Sequence, residues 1–278
     1  MLFELVENGV LPGRYRLDNF LGYCNVPVPK HDYATPGPSI SGSFHSRFRQ
    51  RTVGFTIAYP PFHRPGDTLP LLLVLHGYLG SRLNSGLGSS PARADAVKVD
   101  GRVLPPMALV TVDGGNGYWN PHPTDDPFGM VIHELIPMCW NRGLGRPRQG
   151  IAALGVSMGG YGALLMAEKQ PKLFRAVAAI SPAIWTSYGQ ARAANPGAYA
   201  SAKAFAWADV VAHAPSLPDI PIRVAAGIDD PFLPGVQALK PELPRGARVI
   251  IASGCHGGPF AAQQLTPSLQ FVSRYLGE

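Results

Sequence analysis

Six short, continuously apolar runs punctuate the chain and constrain its fold more than any other feature: LPLLLVLHG (69–77), PMALVTVDGG (106–115), RQGIAALGV (148–156), FRAVAAISP (174–182), IPIRVAAGIDD (220–230) and ARVIIASGCH (247–256). A strand with one wet face alternates apolar and polar residues, whereas one covered on both faces does not. Between the runs lie stretches with helical character, PFGMVIHELIPMCW (127–140, despite Pro137), SMGGYGALLMAEKQ (157–170) and the closing amphipathic PFAAQQLTPSLQFVSRYL (259–276). SRLNSGLGSSPARADA (81–96) predicts a short helix among loops, and VGFTIAYP (53–60) a further strand. Strands alternating with helices imply a mainly parallel central sheet with helices on both faces.

At 278 residues the chain has the length of one α/β domain. The expected division is an arm over residues 1–50, lying on the domain, and a catalytic domain over 51–278, because the opening residues are rich in turn formers such as VPVPK and TPGPS. A formal net charge of +6 admits anionic partners, so the placement of the basic residues decides the matter. They are scattered. The densest run, SFHSRFRQR (43–51), spaces Arg47, Arg49 and Arg51 two apart, as on one face of a solvated edge strand, and no nucleic-acid-binding signature accompanies it. Cys24, Cys139 and Cys255 form no CxxC, leave one unpaired in any pairing and read as no disulfide framework. MLFELVENGV lacks a basic, then apolar, leader pattern, and no run is long enough to span a bilayer. The expectation is a cytoplasmic chain without stable membrane insertion, with a secreted protein whose leader has been removed as the alternative.

The chemistry concentrates where strands end. Gly155-Val156-Ser157-Met158-Gly159 is a G-x-S-x-G between a buried strand and a helix, the context in which this motif marks a nucleophile elbow. The turn is so sharp that flanking side chains would collide with backbone, hence the glycines. A serine hydroxyl needs a base to take its proton and a carboxylate to orient that base. Both follow in the chain: IPIRVAAG runs into Asp229-Asp230-Pro231, and ARVIIASG into Cys255-His256-Gly257-Gly258. Either aspartate has the reach. Asp230 is preferred for its place before Pro231, leaving Asp229 to cap the turn. The order Ser157, Asp230, His256 is that of α/β-hydrolases. An oxyanion requires two donors, expected at the backbone N–H of Met158, after the nucleophile, and of Tyr78, in His76-Gly77-Tyr78. The His76 imidazole has no necessary part.

With GVSMGGYGALLMA, AAISPAIW, GIDDPF and GCHGGPFAAQQL, the chain resembles the esterase D and mycolyltransferase group of α/β-hydrolases from about Thr52 to its end. The resemblance implies the α/β-hydrolase fold, Ser157 as nucleophile, Asp230 as acid, His256 as base and Tyr78 and Met158 as oxyanion donors. The formylglutathione-hydrolase members carry a characteristic cysteine and an extended binding segment without counterpart here. The mycolyltransferases are exported and use a glutamate as the acid. Neither substrate is carried over.

VDGGNGYWNPHPTDD (112–126) follows a strand on the site's side, with Tyr118 and Trp119 as candidate pocket walls. His122 with Asp125 and Asp126 fits no metal-ligand spacing, and His133-Glu134 lacks the second histidine of H-E-x-x-H. Neither GLGSS nor DGGNG is followed by a phosphate-loop lysine, so no cofactor and no metal are expected. The stretch from Ala183 to Pro218 is too short for a large lid and predicts a small, open cap, which favours small or exposed acyl esters. The expected activity is that of a serine carboxylic-ester hydrolase on a small-molecule ester through an acyl-enzyme. The alternatives are an acyltransferase or thioesterase using the same triad, and a non-catalytic binding protein on a hydrolase scaffold.

Overall fold

The computed structural model describes residues 24–217 and 219–276. Its opening elements are β1 (Ser39–Ser46), β2 (Arg51–Ala58), β3 (Leu71–Leu75) and a short helix α1 (Pro91–Asp95). A two-stranded hairpin of β4 (Lys98–Val99) and β5 (Arg102–Val103) leads to β6 (Ala108–Val112). The next helical stretch is α2 (Pro127–Met130), a wide π-turn over Val131–Leu135, and α3 (Ile136–Asn141). Pro137 is the second residue of α3, and its place in the first turn spares the helix a proline in its interior. Then come β7 (Ile151–Val156), α4 (Met158–Lys169), β8 (Phe174–Ile180), α5 (Tyr188–Ala194), α6 (Ala202–Trp207), β9 (Ile222–Asp229), α7 (Leu233–Leu239), β10 (Arg248–Cys255) and α8 (Gly258–Ser273).

Eight strands form one sheet in the order β1-β2-β6-β3-β7-β8-β9-β10. The β1–β2 and β2–β6 pairs are antiparallel and the rest are parallel. The continuous apolar runs are explained by what covers them. In β3 all five residues are buried, with Leu71, Leu73 and Leu75 in one core layer and Leu72 and Val74 in the other. α4 packs on the first layer and α8 on the second, so each full side chain of β3 contributes about 1.5–3 kcal/mol of burial whichever way it points. β10, at the sheet's end, is partly or fully exposed as far as Ser253 and becomes buried only at Gly254 and Cys255.

Two expectations need correction. Arg47, Arg49 and Arg51 do not share a strand face, because β1 ends at Ser46 and the chain turns before β2. Arg49 is buried, its guanidinium forked onto Asp125 at 2.6 and 2.9 Å and also donating to the Asp113 carbonyl. The turn takes Arg49 inward to tie the loop after β6, so it is no solvated edge charge. In addition, Cys24 and Cys255 are joined by a disulfide across 231 residues of sequence, while Cys139 is free and buried. The third cysteine made the set look unpaired, although Cys24 and Cys255 are brought together from opposite ends of the sequence. Residues 1–23 of the expected arm lie outside the described residues. Residues 39–46 are a strand of the main sheet.

Candidate active site

Ser157 sits between β7 and α4 with φ +58° and ψ −122°, a left-handed backbone that costs a non-glycine residue about 1–3 kcal/mol. The surroundings enforce it. Its N–H donates to the Ile180 carbonyl at 2.9 Å, and its own carbonyl accepts from Tyr161 and Ala183 at 3.0 Å each. A Cβ on Gly159 would lie 1.9 Å from the Leu75 carbonyl oxygen, and one on Gly155 2.1 Å from that of Gly159. Only glycine lets three strand ends and a helix start approach this closely. The N-terminal end of α4, with its partial positive charge, is thereby aimed at the serine.

The Ser157 hydroxyl lies 2.8 Å from His256 Nε2. On the other side of the ring, His256 Nδ1 is 3.0 Å from both carboxylate oxygens of Asp230. A carboxylate only accepts, so Nδ1 carries the proton and Nε2 is left to accept from Ser157. Asp230 is buried, and the Phe232 N–H donates to one of its oxygens at 2.8 Å. Asp229 is instead the last residue of β9, paired in register with Cys255.

The turn after β3 passes over the serine: a Cβ on Gly77 would be 3.4 Å from Ser157 Cβ. The following loop is anchored at three points. Leu79 N–H donates to Asn116 at 2.8 Å, Gly80 N–H to the Gly77 carbonyl at 3.0 Å, and Arg82 forks onto Asp113 through its backbone N–H and its guanidinium at 2.8 and 2.5 Å. His76 holds the turn itself. The Gly114 N–H donates to His76 Nε2 at 2.9 Å, which puts the ring proton on Nδ1, and Nδ1 donates to the Gly77 carbonyl at 2.7 Å. That carbonyl belongs to the planar peptide whose N–H is Tyr78's, so fixing one end fixes the direction of the other. Burial holds the His76 pKa below its ordinary value, which keeps the ring neutral and its acceptor nitrogen available. The sequence marked the turn, but this role of the imidazole emerges only in three dimensions.

Tyr118 and Trp119 do not form an open wall. They are 3% and 0% exposed, and the indole, laid against the backbone of Gly114 and Gly162, donates to the His76 carbonyl at 3.2 Å. Both residues have positive φ, which turns their rings under the site. Burial raises the Tyr118 phenol to about 12. The open aromatic surface lies elsewhere: Phe232 packs on the His256 ring at 5.0 Å and Trp185 on Phe232 at 4.8 Å. These two line a cleft of about 480 Å³ with Ile184, Gln190 and Pro231. SPAIW and DDPF carried that information, since each places an aromatic just after a strand end. His122 is bonded to the Gly117 carbonyl, Asp125 to Arg49, and Asp126 caps α2 through the Gly129 N–H. Among the described residues no group of three or more His, Cys, Asp or Glu is arranged to hold a metal ion, and no helix is long and apolar enough to cross a membrane.

The profile of the "Putative esterase" family matches residues 46–272. No curated protein matches the chain. Among solved structures, a ferulic acid esterase superposes with a TM-score of 0.66 at 18% identity, covering 87% of this chain and 100% of its own. An S-formylglutathione hydrolase from Agrobacterium tumefaciens gives 0.67 at 17% identity, with 91% and 100% covered. The fluorophosphonate-binding serine hydrolase F of Staphylococcus aureus gives 0.64 at 17%, with 86% and 99% covered. At these identities the likeness is one of fold, the mainly parallel sheet of the α/β-hydrolases. The family match spans most of the sequence, and the chain accordingly belongs to that esterase family.

Proposed function

We propose that the protein is a carboxylic-ester hydrolase that works through an acyl-enzyme on Ser157. The supporting observation is the continuous relay from buried Asp230, at 3.0 Å, through His256 to the Ser157 hydroxyl at 2.8 Å. During attack the Ser157 proton moves to His256 Nε2, and Asp230 stabilises the imidazolium that results. The carbonyl oxygen gains negative charge and accepts hydrogen bonds donated by the Met158 and Tyr78 amides, the second aimed by His76. His256 then gives the proton to the leaving alcohol; in the second half it takes a proton from the attacking water and returns it to the Ser157 oxygen as the acyl–serine bond breaks and the acid leaves.

The cap supports small or exposed acyl groups: α5 and α6 are short, and the cleft beside His256 is apolar and aromatic. A disulfide such as Cys24–Cys255 persists in oxidising surroundings, which favours a secreted or otherwise oxidising location over the cytoplasm.

Intact mass after fluorophosphonate treatment, followed by hydrolysis of p-nitrophenyl esters of increasing chain length, tests this reading. A single adduct absent in Ser157→Ala, with turnover highest on short acyl groups, is expected. A folded protein that takes no adduct would sink the proposal and put the non-catalytic binding scaffold in its place.

A further inference from the structure

The triad is completed at an edge strand of the sheet. β10 pairs with β9 alone among the described strands, and its register slips between Ala252 and Cys255, where Gly254 adopts φ +134°. His256 follows this irregular end, one residue past the last pair, Cys255 with Asp229. Its ring is held by Asp230, Ser157 and Phe232, which are the groups its orientation must serve. The backbone before it is tied further by the bond from Cys255 to Cys24 and by Gly254, which lies close against Val26 and Phe260.

A bond to a loose tail would restrain little, so the far end matters. Val26, two residues after Cys24, packs into a small core with Ile180, Ala225, Phe260 and Ala261. Farther along, His31 is 3.2 Å from the Thr266 hydroxyl, Asp32 pairs with Lys98 at 3.0 Å, Tyr33 bridges to Val97, and the Arg93 guanidinium lies 4.1 Å over the Tyr33 ring. The segment 24–34 is thus fastened along its length to α8 and to the region of α1 and β4. We infer that the Cys24–Cys255 disulfide is a positioning element for His256: it transfers the anchorage of that segment to the residue preceding the base. This rests on the proposed catalytic role of His256.

The test uses the intact purified protein and a dithiol reductant. One reductant thiolate attacks a sulfur of the disulfide, releasing the other cysteine as a thiolate. Its second thiol then closes the reductant's ring and frees the first cysteine, so two electrons enter the protein and the reductant becomes a cyclic disulfide. Cys139 stays silent, because burial pushes its thiol up to about 12 and leaves almost no reactive thiolate.

With complete reduction verified by alkylation and mass, near-ultraviolet circular dichroism and a melting midpoint above the assay temperature should persist. Under those conditions kcat should fall about tenfold or more with KM within about twofold, since misplacing a base weakens the transition state and leaves substrate binding intact. Fluorophosphonate labelling should slow in step, and reoxidation should restore both. Cys24→Ala, which leaves the His256 loop unaltered, should match the reduced protein and no longer respond to reductant. An unchanged kcat after full reduction or in Cys24→Ala overturns the inference, as does a loss of kcat that accompanies loss of the tertiary signal. Failure of the oxidised protein to label at Ser157 would instead strike the catalytic reading itself.

Discussion

Ser157 is held at the centre of the sheet, between β7 and α4, whereas His256 hangs from its last strand. On the serine side the geometry comes from exclusion: glycines allow carbonyl oxygens within about 2 Å of where a Cβ would stand, and backbone hydrogen bonds engage both ends of the residue. On the histidine side there is less to exclude, since β10 is an edge strand whose residues before Gly254 are all partly or fully exposed. A covalent bond and a fastened flanking segment reinforce the small core at the end of β10. Position at the middle of a sheet comes with its fold, while position at an edge needs a device of its own.

The comparison can be broken most severely at its meeting point. Ser157→Ala and His256→Ala should each lower kcat by more than about 10⁴-fold on a p-nitrophenyl ester without changing the melting midpoint, because the groups act as a unit. Asp230→Asn should fall within about tenfold of them, since an amide can reverse the tautomer that Nδ1 must hold. Next comes the steric side. Gly159→Ala has no room to relax, its new carbon being placed 1.9 Å from the Leu75 oxygen, and should unfold the protein or destabilise it by more than about 3 kcal/mol in denaturant titration. A well-folded, active Gly159→Ala would show that the serine side is not built by exclusion.

His76→Phe sharpens the comparison from within the serine side. It keeps an aromatic ring against Trp119, 5.0 Å away, but loses both ring bonds, so kcat should drop about 10–10³-fold with KM little changed, as for a weakened oxyanion donor. Near-wild-type turnover would mean that the Tyr78 amide is held without it.

The smallest effect belongs to a residue remote from either end. Asp95 in α1 is buried, one carboxylate oxygen has no hydrogen-bond partner, and burial raises its pKa well above the ordinary value. A raised folded-state pKa contributes stability fully present below the unfolded value and lost as pH rises through the folded one. Asp95→Asn should therefore gain about 1–3 kcal/mol at pH 7, shrinking toward zero below pH 4, with kcat unchanged. Equal melting midpoints for the two proteins at neutral pH would count against a buried, unpaired carboxyl there.

Much of the centre was legible in the sequence because the demands there are local. An apolar run shows a strand covered on both faces, and G-x-S-x-G between run and helix marks the elbow. The same logic of strand ends picks out Asp230 and His256, which lie within hydrogen-bonding distance of each other in the fold. What sequence reading missed depends on contacts between distant segments. The partner of Cys255 lies 231 residues away with a third cysteine intervening, and Arg49 turns inward to an aspartate 76 residues on. Tyr118 and Trp119 looked like pocket walls because aromatics in a loop near a site can face either way, and positive φ at both sends them under it. Sequence reading gives the His76 imidazole no necessary part. Its influence on the Tyr78 amide is visible only once the ring and the next peptide are placed together.

Closing a ring between residues 24 and 255 also changes how the molecule comes apart. A protease that nicks any exposed loop inside that span, such as the one bearing Phe62, which is 91% exposed, cuts the chain without releasing a piece. The two fragments stay tethered beside the site and separate on a gel only after the bond is reduced. Damage that would discard part of an open chain leaves here a nicked molecule with every segment still attached.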